Sequence, residues 1–153
     1  MTLMPHIVCF GNPLHGDDGF GAAVYTRLSE TPLPDGWRAF DAGTSGLNAL
    51  WLFRDCGEAI IVDSLAPGAE PGRLRELTAG DVLTEAAPVG HGGGVGYLLQ
   101  ALQAMPEPPP RVRIVAVESA DVSAFRPGLS SPVAAAVAPA VALIRSYIGA
   151  GDD

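Results

Sequence analysis

The sequence predicts an α/β fold: three layers, with a mostly parallel, twisted sheet of about five strands and helices on both of its faces. Three observations lead there. Short apolar runs stop abruptly at Gly, Asn, Asp or Ser, stretches with helical spacing of apolar residues alternate with them, and no internal repeat or low-complexity segment competes. Runs that are apolar throughout suit parallel strands buried on both faces, and their alternation with helices implies right-handed crossovers. At 153 residues the chain is expected to form one domain over 1–153 around one core.

The elements follow in order. "HIVCF" (His6 to Phe10) reads as the first strand, and from Gly19 the stretch "GFGAAVYTRLSE" places Phe20, Val24 and Leu28 near helical spacing until "TPLPDG" breaks it. "WRAFDA" reads as a second strand, followed by the turn "GTSG" and a helix-like "LNALWLFRDC". "EAIIVDS" (Glu58 to Ser64) is a β-branched strand stopping at Asp63 and Ser64. The Pro- and Gly-rich stretch from Ala66 to Pro88 contains "RLREL", a short extra strand. "VGYLLQALQAM" reads as a helix, "RVRIVAVES" as a buried strand, and "SSPVAAAVAPAVALIRSYI" as a closing helix with Pro132 in its first turn and Pro139 expected to kink or divide it.

Composition narrows the function classes. Hydrophobic content of 48% with 17% charged residues is that of an ordinary globular chain. Nine Lys+Arg against 17 Asp+Glu give a formal charge of −8, which disfavours nucleic acid and anionic membrane as partners. Lysine is absent, which excludes a P-loop. No apolar run is expected to cross a bilayer, and "MTLMPHIVCF" reads as a strand and not as a signal peptide, so the expected location is cytoplasmic. Cys9 and Cys56 lack metal-ligand spacing and read as buried thiols.

In open α/β sheets the ligand crevice lies outside the carboxyl ends of the strands. "GNPLHGDD", "DAGTSG", "DS" and "ES" all follow strands, so Asp17, Asp18, Asp41, Asp63 and Glu118 are expected along one edge, joined by His91 if the following helix starts nearby. Carboxylates packed together repel unless they are solvated, protonated or completed by a cation, and an Asp/Asp/His set suits a divalent metal. Simpler roles stand beside that one. Asp17 or Asp18 could cap the helix near Gly19, Asp63 could be a turn residue, and Asp41 reads as the holder of its turn. His15 is near enough to the acidic pair to hydrogen-bond one member. "GHGGGVG" has the look of an esterase oxyanion turn, but no G-x-S-x-G elbow accompanies it. The opening glycines do not form G-x-G-x-x-G, and two carboxylates would repel a pyrophosphate.

These residues resemble the endopeptidases that mature the large subunit of nickel-iron hydrogenases. "GNPLHGDDGFG" is similar to that family's G-N-x-L-x-x-D-E/D-G-x-G, "DAGTSG" to its D-G/A-G-T-x-G, and "IIVDS" to its strand ending in Asp and a small residue. "VGHGGGVGYLL" is similar to its histidine segment and "AVESADVSAFRPGLSSPVAAAV" to the stretch ending in L-S-P-x-V, the matches running in order from Ile7 to about Ile148. The resemblance implies a five-stranded doubly wound fold and an enzyme that removes a C-terminal peptide from a nickel-loaded precursor. It also implies that the metal is supplied by that precursor, at a site able to take other divalent ions. Carried over by motif, the metal contacts are Asp18, Asp63 and His91, with Asp17, Asp18 and Asp63 as the catalytic candidates. Asp18 stands where many members have Glu.

Two further functions fit the same acidic edge: a non-catalytic chaperone that senses the metal in the precursor, and a standalone metal-dependent hydrolase with a resident ion. The partner expected for the leading reading is the hydrogenase large-subunit precursor, and the protein itself is expected to be a monomer.

Overall fold

In a computed structural model, residues 3–83 and 94–149 are described. Five strands, β1 (Met4–Phe10), β2 (Arg38–Gly43), β3 (Cys56–Pro67), β4 (Leu74–Thr78) and β5 (Arg111–Ser119), form one sheet in the order β2-β1-β3-β5-β4. All neighbours pair parallel except β4, which lies antiparallel on β5 at the edge. The α/β fold class, the mostly parallel sheet and the extra strand at "RLREL" are therefore as the sequence predicts.

Side-chain alternation sorts the apolar residues onto two faces. Ile7, Cys9, Ile60, Val62, Val115 and Val117 pack with α1 (Phe20–Leu28) and α4 (Ser131–Gly149). Val8, Phe10, Ala59, Ile61, Ile114 and Ala116 pack with α3 (Gly94–Ala104) and with a 3-10 helix at Gly46–Phe53. Covering both faces explains why these strands read as unbroken apolar runs. A five-residue helix, α2 (Ala79–Leu83), follows β4.

Two local expectations are corrected. "LNALWLFRDC" forms a 3-10 helix and not an α-helix. It is short, and two residues past its end Asp55, with a φ of 55°, turns the chain into β3. The closing helix runs unbroken through Pro139. Pro139 and Ala135, whose carbonyl loses its helical partner to the proline, both lie on the exposed face, where water can satisfy that oxygen. The same helix, 19 residues with a mean hydropathy of 1.4, is long and apolar enough by length and composition to cross a membrane. Here Val133, Ala136, Val137, Ala140, Ile144 and Ile148 bury one side of it against the sheet, and the Arg145 guanidinium donates to the carbonyls of Leu28, Thr31 and Pro32 beyond the end of α1.

The order β2-β1-β3 makes the boundary between β1 and β3 the point at which the chain switches direction across the sheet, where open α/β sheets leave a crevice. Pairing of β1 with β3 ends at Cys9 and Val62, yet β3 continues beside β5 as far as Pro67. Asp63 and Ser64 thus lie within a strand that outlasts its neighbour, not at its end. They are the first β3 residues with no β1 residue beside them.

Candidate active site

Among the described residues the buried polar side chains are Asp17, Asp18, Asp63, Ser64 and Ser119, all at the carboxyl edge of the sheet. Buried polar groups concentrated at one edge of an otherwise apolar core mark it as the functional edge.

Glycines shape the loop after β1. Gly11 has a φ of 137°, and a Cβ there would lie 2.0 Å from the Asp18 carbonyl oxygen. Gly16 has a φ of 57°, and its Cβ would lie 2.5 Å from the Asp121 carbonyl oxygen. Only a residue without a side chain fits either place. The loop folds back on itself at the first and presses against the 120–130 loop at the second.

Asp18 is 3% exposed. Its Oδ2 accepts from the Asn12 N–H at 2.9 Å, and its Oδ1 accepts from the Ser64 hydroxyl at 2.7 Å. Ser64 also donates its N–H to Asp63 Oδ1 at 2.8 Å. One serine on β3 therefore ties the first loop to the third strand and orients both carboxylates. Burial pushes Asp63 well above the usual carboxylate range; the Ser64 N–H opposes that, and the neighbouring Asp18 charge adds to it. The pair is a desolvated, electrostatically unsatisfied acidic site, to which a cation would be drawn.

Asp17 points elsewhere. Its oxygens accept from Ala120 N–H at 2.8 Å, Asp121 N–H at 3.1 Å, Ser130 N–H at 2.7 Å and the Ser130 hydroxyl at 2.8 Å. Burial alone would raise its pKa, but the backbone donors of Ser130, Ala120 and Asp121, with the Ser130 hydroxyl, outweigh it and hold Asp17 below the usual range. Gly16 N–H donates to the Arg126 carbonyl and Asp17 N–H to that of Asp121, both at 2.8 Å, completing the seam between the two loops.

Neither aspartate caps α1, whose N-cap is Gly19 with no side-chain bond; the loop around them is instead a turn of 3-10 helix, Gly16–Gly19. Asp41 is exposed and accepts from Gly43 N–H at 3.1 Å, holding its turn and standing apart from the acidic pair. Glu118 faces Arg73 at 3.9 Å, and one of its buried oxygens has no hydrogen-bond partner. His91 lies outside the described residues. Among the described residues no three His, Cys, Asp or Glu side chains form a group that could hold a metal ion. Cys9 and Cys56 are free and buried, and burial raises both thiols. Ser130, read from the sequence only as part of a helix start, is the partner that sequence reasoning missed; the helix-start serines before Pro132 were visible, but contact across 113 residues with Asp17 was not.

Comparison with known proteins identifies the family and the fold. A family model described as hydrogenase maturation protease matches residues 23–147. A Methanocaldococcus jannaschii protein assigned as a hydrogenase maturation protease is 31% identical over 146 residues, spanning 93% of this chain and 94% of its own. The crystal structure of a hydrogenase 2 maturation peptidase from the Thaumarchaeota archaeon SCGC_AB-539-E09 is similar at 28% identity and a TM-score of 0.71, covering 95% of this chain and 98% of that one. The hydrogenase maturating endopeptidase HybD from E. coli shares the fold at a TM-score of 0.82 and 24% identity, over 97% of this chain and 94% of its own. In sequence and in fold, then, the chain belongs to the hydrogenase maturation protease family.

Proposed function

We propose that this chain is the endopeptidase that removes the C-terminal extension of a nickel-loaded hydrogenase large-subunit precursor, with Asp18, Asp63 and His91 meeting the nickel that the precursor carries. The observation that carries this reading is the pairing of two buried carboxylates through Ser64 at the β1/β3 crevice. Two such groups side by side are stabilised when a cation arrives, and carboxylate with imidazole suits nickel while leaving coordination positions for the precursor's own ligands. Metal arriving on the substrate then becomes the condition for a stable complex. A metal held there by Asp18, Asp63 and His91 would supply Lewis-acid chemistry to the scissile carbonyl or a water.

Asp17 in this reading is the anchor of the loop. Four donors already occupy its oxygens, and a carboxylate held low is a poor base. Asp18 and Asp63 remain as the acidic groups facing the reaction, for which a cytoplasmic location is proposed.

The test is mass spectrometry of the precursor after incubation with purified protein. The nickel-loaded precursor is expected to shorten and the nickel-free precursor to keep its length, and Asp63→Asn is expected to stop the shortening while leaving the fold intact. Binding without any change of length would make the protein a metal-sensing chaperone instead.

A further inference from the structure

Phe125 is 80% exposed and sits at a φ of 59°. A bulky aromatic in the left-handed region is strained, and such strain persists where the surrounding structure imposes it, commonly at ligand clamps. The other non-glycine residue at positive φ among those described is Asp55, a type that tolerates that conformation in a tight turn. Phe125 has no such excuse, and burial does not explain it.

Its surroundings are fixed. Its ring stands edge-on to that of His15, with centroids 5.8 Å apart and an interplanar angle of 79°. His15 and the next residue along, Arg126, form a parallel bridge, and the Gly16 N–H donates to the Arg126 carbonyl at 2.8 Å. The His15 carbonyl in turn accepts from the Asp18 N–H at 3.1 Å. Leu14, adjacent to His15, is itself 51% exposed. The seam anchored by Asp17 therefore holds two large apolar side chains out to solvent, Leu14 on the loop that carries Asp18 and Phe125 on the 120–130 loop packed against it.

We infer that Phe125, with Leu14, is the apolar anchor that seats the hydrogenase large-subunit precursor against the Asp18 loop by taking an apolar side chain of its C-terminal region. This rests on the proposed function, which requires the precursor to reach Asp18 and hence to pass over this surface. An exposed aromatic held rigid by its backbone binds with little loss of conformational freedom, the property of an interface anchor.

The experiment measures the Kd of purified protein for the nickel-loaded precursor separately from its shortening. Phe125→Asn is expected to weaken binding by at least about tenfold while its Tm is no lower than that of the parent, because Asn adopts the left-handed conformation more readily and the ring is exposed. Phe125→Tyr keeps the ring and is expected to keep the Kd. Leu3→Asn, at the opposite edge of the sheet, is expected to leave it unchanged. Should Asn unfold the loop, Phe125→Gly repeats the comparison with a backbone that takes this φ freely. A parental Kd in the folded variant overturns the inference. So does equal weakening by Leu3→Asn, or a shift by Phe125→Asn in the sedimentation coefficient of the protein alone, which would assign the patch to a second copy. A parent that binds but does not shorten the precursor defeats the proposed function and leaves the Kd comparison to decide the anchor. A parent that does not bind it defeats both.

Discussion

Ser64 holds Asp18 across 46 residues of sequence, its hydroxyl donating to Asp18 Oδ1 at 2.7 Å. The same residue's backbone N–H orients Asp63, so one residue, through its hydroxyl and its main chain, sets how the two carboxylates face each other. Ser64→Ala removes the first bond and leaves the second. Hydrogen bonds to charged buried groups contribute about 1.5–3 kcal/mol, so a loss of stability of that order is expected in urea unfolding. Precursor processing is expected to slow by about tenfold as Asp18 gains freedom to move. Wild-type rate together with wild-type stability would show that the bond is idle.

Asp63→Asn is expected to end processing and to raise thermal stability. The folded-state pKa of Asp63 lies above its unfolded value because the group is buried beside Asp18. Its favourable contribution is therefore complete below an unfolded pKa of about 3.9 and is lost as pH rises through the folded value. Above the unfolded pKa, burial penalises ionisation of Asp63 in the native state, a penalty that the asparagine variant does not carry. Melting curves recorded from pH 4 to pH 7 are expected to show the variant's advantage growing as pH rises. A constant difference across that range would contradict the linkage.

Asp17 has the opposite sign. Its folded pKa is lowered by donors from residues 120, 121 and 130, so it stabilises the fold above about pH 3.9 and that contribution fades as pH falls through the folded value. Asp17→Ala leaves four donors without their acceptor and is expected to cost about 3 kcal/mol or more at neutral pH, less in acid. Ser130→Ala removes only the hydroxyl contact and is expected to cost about 1 kcal/mol, with processing retained. Chemical denaturation of both variants at two pH values checks the order.

Under the proposed function, protein produced without any hydrogenase partner is expected to hold nickel only in substoichiometric amounts, because the described acidic site offers two carboxylates rather than a closed ligand set. Elemental analysis of the purified protein decides this. One tightly held ion per chain would favour a standalone metal hydrolase.

Much of the architecture was legible in the residues. The runs at Ile7 to Phe10, Ala59 to Val62 and Ile114 to Val117 are apolar because both sheet faces are covered, and that requirement is written into each strand separately. Asp18 and Asp63 were legible as carboxylates following apolar strand runs, although Asp63 lies inside β3 and not at its end. The 3-10 form of Gly46–Phe53 and the unbroken helix through Pro139 were not, since each depends on what the segment meets: a left-handed turn at Asp55 in one case, open solvent in the other.

By itself the sequence determined the alternation of strands and helices, the two-sided core and the glycine-rich acidic turn, because propensity, periodicity and turn chemistry act over a few neighbouring residues. Only the tertiary structure decided which aspartate does what. Asp17 and Asp18 are adjacent and chemically identical, yet one is spent on a loop 103 to 113 residues away and the other on Ser64. That division follows from where β5 and β3 run relative to β1. Strand order is set by the whole sheet burying its two faces, and no local pattern encodes it.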